Sequence, residues 1–140
     1  MKRTVLGLLA LACSSAALAQ QPYPNRPLRM IVPWPPGQAT DVAGRVVAQK
    51  LADALGQPVV VDNRPGAGGM IGTDIVAKAA ADGYTILAAS SGPVSISPLL
   101  QKTPYDAERD FAPVSKVGVS PYLLVTGAVF PAANAREFVA

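Results

Sequence analysis

The chain has 140 residues, half of them hydrophobic and only 15% charged, which excludes a largely disordered chain and allows one small domain. It carries 12 basic and 9 acidic residues, no histidine and a single cysteine. Without histidine, catalysis by imidazole and the common zinc sites are excluded.

The first residues have the pattern of a secretory signal peptide. Lys2 and Arg3 precede an apolar stretch from Val5 to Ala12, and Ala17-Leu18-Ala19 is an A-x-A cleavage signal. The apolar stretch is far shorter than the roughly 20 residues needed to span a bilayer. We therefore predict a signal peptide over residues 1–19, cleavage after Ala19 and a periplasmic mature chain.

The only cysteine, Cys13, lies within this segment. Leu9-Ala10-Leu11-Ala12-Cys13 faintly resembles a lipobox, so lipidation of Cys13 is an alternative, although Ala17-Leu18-Ala19 is the better cleavage site. After cleavage the chain has no thiol nucleophile and no disulfide. Loss of Lys2 and Arg3 also leaves the two charge signs nearly balanced, so no basic cluster indicates a nucleic-acid partner.

A strand, a helix and a second strand are predicted next. Arg29–Val32 is a short apolar run ended by Pro33, which is typical of a buried strand. Thr40 and Asp41 are residue types that favour a helix N-cap, and Gly56 with Pro58 indicates the end of that helix. The second strand is Val59–Val61. The apolar face predicted for the helix consists of Val42, Val46, Val47, Leu51, Ala54 and Leu55.

The alternation of strands and helices continues. A glycine-rich turn leads into a second helix that ends at Gly83, and Tyr84–Ala89 is a third strand. Ser97-Pro98 can open a short helix, and Phe111–Val117 and Tyr122–Thr126 are two more candidate strands. This order predicts an α/β fold with a parallel sheet, and the continuous apolar strands predict that both faces of the sheet are covered.

The last residues begin an amphipathic helix. Asn134 is a candidate cap, and Arg136-Glu137-Phe138-Val139 has the polar and apolar pattern that follows one. A helix of about two turns or less has little intrinsic stability. We therefore interpret the sequence as a truncated chain.

Three loops are predicted to follow the carboxyl ends of the three strands: Pro33–Thr40, Asn63–Thr73 and Ser90–Ser95. In an open α/β sheet such loops lie on one side, where ligands bind. The loops lead into helix N-termini, whose free N–H groups and positive dipole ends favour an anion. A carboxylate is the smallest ordinary candidate.

Each loop also has a simpler interpretation. The prolines of Pro33–Pro36 can be a rigid connection and Trp34 a packing residue, while Ser90 and Ser91 can be helix caps. Read as a dinucleotide fingerprint, "GAGGMIG" has its third glycine one position late, and it follows the second strand. This spacing counts against a nucleotide- or phosphate-binding α/β enzyme domain, which stays an alternative, as does a non-functional fragment.

The motifs in combination resemble those of one family. "VPWPPGQATD", "DNRPGAGGMIG", "DGYT" and "PYDAERDFAPVSKV" resemble the opening of the Bug-type solute receptors, the extracytoplasmic binding proteins of tripartite tricarboxylate transporters. The resemblance implies a lobe like that of type II periplasmic binding proteins. It places the first lobe at residues 20–122, and the crossover with the start of a truncated second lobe at residues 123–140.

The resemblance also implies a function and a site. It implies a receptor, not an enzyme, that captures a small carboxylate without cofactor or metal and delivers it to the membrane components of a transporter. In the family this loop commonly has a second glycine at the position where this chain has Gln38. The identity of the ligand is therefore harder to infer from relatives. The implied ligand-binding residues are Pro36, Gly37, Gln38, Ala39, Thr40, Asp41, Gly68, Gly69, Ser90, Ser91 and Gly92. For Asp41 we expect that its side chain caps its own helix or binds a ligand amine.

Overall fold

The computed structural model describes residues 22–121, 125–127, 130–131 and 134–139. The predicted signal peptide with Cys13 and part of the predicted strand Tyr122–Thr126 lie outside these ranges. The strands are β1 (Leu28–Val32), β2 (Val59–Asn63) and β3 (Thr85–Leu87). The α-helices are α1 (Ala39–Leu55), α2 (Met70–Ala77), α3 (Ser97–Leu100) and α4 (Ala135–Val139). A 3₁₀ turn at Ala67–Gly69 precedes α2, and a π-helical turn at Gly92–Ile96 precedes α3.

The three strands form one parallel sheet in the order β2-β1-β3. Leu28 pairs with Val59 on one side of β1, and Arg29 pairs with Thr85 on the other. The central position of β1 explains its burial, because four of its five residues are buried and only Arg29 is partly exposed. The predicted parallel α/β sheet is confirmed.

The sequence predicts the C-terminal end of helix α1 correctly but not its N-cap. Gly56 adopts a left-handed conformation with φ of 66°, and its N–H donates to Ala52 O at 3.0 Å, as predicted. The N-cap, however, is Gln38, and its side chain makes no capping bond. The prediction of Thr40 or Asp41 as cap was wrong by two or three residues, because both lie inside the first turn.

The face that α1 turns to the sheet is also different from the predicted one. Its buried residues are Asp41, Gly44 and Ala48, whereas Val46 is 60% exposed and Val42 is similarly accessible. Small residues let the helix lie close to the sheet: a Cβ on Gly44 would lie 3.4 Å from Val32 Cγ2 and Ala88 Cβ. The predicted stripe was therefore wrong at Val42, Val46 and Ala54, which are exposed, while Val47, Leu51 and Leu55 are half-buried.

Three other predictions need correction. Helix α2 ends at Ala77, before Gly83. Val60 of β2 is 56% exposed, so this edge of the sheet is not covered on both faces. Phe111–Val117 is not a strand, because a strand needs a hydrogen-bonded neighbour and this segment pairs with none among the described residues; Val114 is 93% exposed.

The predicted cap of the last helix is confirmed. Asn134 Oδ1 accepts a hydrogen bond from Glu137 N at 3.1 Å, and the Asn134 amide donates to Glu137 Oε1 at 2.6 Å. This exchange between N-cap and N3 is a variant of the capping box. In the ranges described above, no helix has the length and apolar character needed to cross a membrane.

Candidate functional site

Three loops leave the carboxyl ends of the parallel strands at the same edge of the sheet. We call them loop 1 (residues 33–38, after β1), loop 2 (residues 64–69, after β2) and loop 3 (residues 88–91, after β3). Backbone hydrogen bonds extend the sheet into the other two loops, from Arg64 N to Val32 O at 2.8 Å and from Ala88 N to Ile31 O at 2.9 Å. The loops that were predicted to meet therefore start side by side.

The indole of Trp34 is where the three loops touch. Its Nε1–H donates to Ser90 Oγ at 2.9 Å, which joins loop 1 to loop 3. A Cβ on Gly69 would lie 3.4 Å from Trp34 Cζ2 and 3.0 Å from Pro93 Cγ, and one on Gly92 would lie 3.8 Å from the same indole carbon. Gly69 of loop 2 thus packs against the ring where a side chain has little room.

The conformation of loop 1 depends on a buried carboxylate. Asp41 is 2% exposed, and its Oδ2 accepts from Gly37 N at 2.8 Å and from Arg45 Nε at 3.0 Å. Its Oδ1 accepts from Asn63 Nδ2 at 2.8 Å, and the same amide nitrogen donates to Trp34 O at 2.9 Å. Arg45 Nη2 donates to Asn63 Oδ1 at 2.9 Å, which closes the network.

These donors hold the pKa of Asp41 at about 2, below its ordinary value of 3.8. The largest cause is the hydrogen bond from the Arg45 guanidinium, followed by the Gly37 N–H and the Asn63 amide, while burial acts in the opposite direction. The carboxylate is therefore ionised at neutral pH. Its charge is directed inward, to donors within the protein, on both oxygens.

The structure brings the predicted site residues to one edge of the sheet with different exposure. Most of those in loop 1 and the start of α1 are on the surface, Thr40 is half-buried and Asp41 is buried. In the other loops, Gly69 is buried, Gly68 and Ser91 are exposed, and Ser90 and Gly92 are half-buried.

The backbone donors of loop 1 are not equally available. The Gly37 N–H is taken by Asp41, and the Gln38 N–H makes a long bond of 3.4 Å to Pro35 O. Ala39 and Thr40 are the first two residues of α1, so their N–H groups have no partner within the helix. We conclude that the α1 N-terminus offers these two donors, with the positive end of the helix dipole behind them.

Three residues of this arrangement were absent from the predicted site: Trp34, Asn63 and Arg45. The sequence contains a signal for two of them. Arg45 follows Asp41 by four residues, which is the spacing of a helical ion pair. Asn63 ends β2, at the same edge as loop 1. No sequence signal places the indole of Trp34 against Ser90.

Two cavities lie apart from the loops. One of about 690 Å³ is lined by the π-helical turn, α3 and residues 103–110, and one of about 260 Å³ lies between α1 and β2. Neither contains a predicted site residue. Within the part of the chain that the structure describes, no group of three or more His, Cys, Asp or Glu could hold a metal ion.

Comparison with known proteins identifies the family. The sequence model of the family described as "Tripartite tricarboxylate transporter family receptor" matches residues 43–140, well over half of the chain. The chain belongs to this receptor family. The receptor family includes Bug proteins, and this chain is 53% identical over 125 residues to BugT of Bordetella pertussis, covering 87% of this chain and 38% of BugT.

A second relative matches over a similar range. A protein encoded between tcbD and tcbE in a Pseudomonas species is 43% identical over 130 residues, which is 91% of this chain and 39% of that protein. The chain thus spans about two fifths of the length of these relatives.

Solved structures agree with the observed fold. A periplasmic transporter is 42% identical, with a TM-score of 0.59 over 61% of this chain and 29% of its own. MatC of Rhodopseudomonas palustris, with bound malate, is 33% identical, with a TM-score of 0.57 over 66% of this chain and 32% of its own. The parallel sheet with its helices is therefore the fold of part of a periplasmic binding protein.

Proposed function

We propose that this chain forms the first ligand-binding lobe of an extracytoplasmic receptor that captures a small carboxylate for a tripartite tricarboxylate transporter. The observation that carries the proposal is the convergence of three loops at one sheet edge, where loop 1 leads into the N-terminus of α1. Family membership supplies the class of ligand, and the geometry is compatible with it.

The electrostatics of the site favour an anion. Ala39 and Thr40 offer backbone N–H groups at the positive end of α1. The carboxylate of Asp41 is buried; Arg45 balances its charge, and Gly37 and Asn63 donate hydrogen bonds to it. A ligand carboxylate therefore meets donors at the start of α1, and the negative charge beneath them is already paired.

We propose that the predicted ligand-binding residues line the site, and their positions suggest different roles for them. We propose that Ala39 and Thr40 bind through N–H groups, that Gly68 and Gly69 allow close approach, and that the loop 3 group from Ser90 to Gly92 forms the third wall. Pro36, Gly37 and Gln38 shape the rim, and the Gln38 amide adds a polar group there. For Asp41 the hydrogen bonds support neither expected role: Gln38 is the N-cap, and both Asp41 oxygens are taken by Gly37, Arg45 and Asn63, which leaves no place for a ligand amine.

The proposal includes the location and the partners of the receptor. We propose export through a cleaved signal peptide, a periplasmic location, membrane transporter components as partners and no catalytic activity. The lobe boundary near residue 122 belongs to the same proposal. Malate is the natural first ligand to test, because MatC, which this chain resembles, was solved with malate bound.

One lobe alone is expected to bind weakly. Three charge-assisted hydrogen bonds contribute about 4.5–9 kcal/mol in total, at about 1.5–3 kcal/mol each. A micromolar site needs about 8 kcal/mol, after association costs of roughly 4–15 kcal/mol. Calorimetry with malate and related acids on the 140-residue chain is therefore expected to show no micromolar binding, and a micromolar dissociation constant would refute this expectation.

The test of the function itself uses the full reading frame that carries this sequence. A thermal-shift screen is expected to show stabilisation by one or more dicarboxylates or tricarboxylates, because only the folded state binds them. Nucleotides are the matched comparison. Stabilisation by nucleotides and by no organic acid would replace the receptor with the nucleotide-binding alternative.

A further inference from the structure

In the hydrogen bond between Trp34 and Ser90, the indole is the donor and the hydroxyl oxygen is the acceptor. An indole Nε1–H can only donate, whereas a serine hydroxyl has one proton to donate and two lone pairs that accept. Because Trp34 Nε1 lies 2.9 Å from Ser90 Oγ, the hydroxyl oxygen must be the acceptor of this bond. The hydroxyl proton is therefore left for another partner.

The surroundings of Ser90 leave that proton available. Ser90 is half-buried, and no acceptor of its proton is found among the residues that the structure describes. Loop 3 lies at the edge of the sheet where loops 1 and 2 also begin. The Ser90 hydroxyl lies against the indole of Trp34 in loop 1, and Gly69 of loop 2 lies beside the same ring.

The indole is held by the other loops as well as by Ser90. Its Cζ2 edge lies beside Gly69 and Gly92, where a Cβ would come within 3.4 and 3.8 Å. The Trp34 carbonyl is fixed by Asn63 Nδ2 at 2.9 Å. Backbone and ring are thus both anchored, so the direction of the N–H is set before any ligand arrives.

We propose that Trp34 is a positioning residue that fixes Ser90 as a hydrogen-bond donor to a carboxylate oxygen of the ligand; this rests on the proposed receptor function. Trp34 need not touch the ligand. The free proton of Ser90 needs an acceptor, which a carboxylate or carbonyl oxygen supplies, while the Trp34 N–H already occupies one of the two lone pairs of the hydroxyl oxygen. Loop 3 therefore favours the acid end of the ligand.

The experiment measures malate affinity by calorimetry in the full reading frame that carries this sequence, with other small dicarboxylates as further probes if malate does not bind. Trp34→Phe removes the N–H and keeps a ring between the loops, Ser90→Ala removes the hydroxyl, and a third protein carries both changes. Each single change is expected to weaken binding by about tenfold, the size of one hydrogen bond to a charged group. The double variant is expected to be about as weak as either single one, because both remove the same interaction.

Two readouts separate positioning from general damage. Ser90→Thr keeps a hydroxyl and is expected to bind close to wild type, and thermal unfolding shows whether Trp34→Phe is folded. If Trp34→Phe does not fold, the comparison rests on Ser90→Ala and Ser90→Thr, and equal binding by these two overturns the proposal.

Three results contradict the inference. Wild-type affinity in a folded Trp34→Phe variant would show that Ser90 needs no orientation by the indole. Losses that multiply in the double variant would show that the two residues act independently. Absence of carboxylate binding by the wild-type protein would refute the proposed function and, with it, this inference.

Discussion

Gly72→Ala is expected to lower the free energy of unfolding by about 1–3 kcal/mol, the usual cost of forcing extra volume into a packed site. A Cβ on Gly72 would lie 2.7 Å from Arg64 O and 2.9 Å from Pro33 Cα. Both contacts are with backbone, which cannot rotate away as a side chain can. Because α2 would have to move from loops 1 and 2, the change is also expected to disturb the candidate site.

The matched control for this substitution is Gly44→Ala. Gly44 is likewise a buried glycine inside a helix, but its added Cβ would meet neighbours only at 3.4 Å or more. Alanine favours a helix over glycine by about 1 kcal/mol, so this variant is expected to be as stable as wild type or more so. Urea unfolding of both variants is the measurement. Equal stability of the two would contradict the packing argument.

Asp41→Asn is expected to lower the melting temperature by several degrees at neutral pH. The amide that replaces the carboxylate presents an NH₂ group either to Asn63 Nδ2 or to the pair of donors from Gly37 and Arg45. In each orientation a buried donor faces a donor, which is unfavourable. Loop 1 loses its anchor at Gly37, so weaker carboxylate binding is expected along with the loss of stability.

The pH dependence of this effect has a definite sign. The folded pKa of Asp41, about 2, lies below the ordinary value of 3.8, so the stabilisation is fully present above pH 3.8 and is lost as pH falls toward 2. The difference in melting temperature between wild type and Asp41→Asn should therefore shrink over that interval. Asp53→Asn, on the exposed side of α1, is the control. A difference that stays constant from neutral pH down to 2 would contradict the assignment.

The sequence predicted those parts of the fold that depend on local chemistry. The run from Met30 to Val32 is apolar throughout and lies in the central strand, and Gly56 ends α1 because only glycine adopts its left-handed conformation at low cost. The order of strands and helices was enough to predict a parallel sheet. The resemblance to the receptor family was confirmed by the family comparison.

The face that α1 turns to the sheet could not be predicted from hydrophobicity alone, because the size of the side chains also determines which face packs there. The sequence offers two stripes on this helix, and the one containing Val42 and Val46 is the more apolar. The helix nevertheless turns Gly44 and Ala48 inward, because small residues permit close packing on the sheet, and it buries the charge of Asp41 with its partners. Such a choice depends on partners in other elements, which periodicity does not contain.

In the candidate site, too, some features could be predicted from the sequence and others depend on contacts between distant elements. That three loops meet at one edge followed from the parallel strands alone. The burial of Asp41 could not be predicted from its own helix, because its partner Asn63 lies at the end of strand β2. The individual ligand contacts stay predictions, and the variants of Trp34, Ser90 and Asp41 are the means to test them.

The central place of β1 also determines the order in which the chain can fold. Among the described strands β1 is synthesised first, yet its ladder to β3 forms only after residues 85–87 have been added. Pairing between segments so far apart in sequence slows folding. Until then the most apolar strand keeps an unpaired edge, which is a template for aggregation.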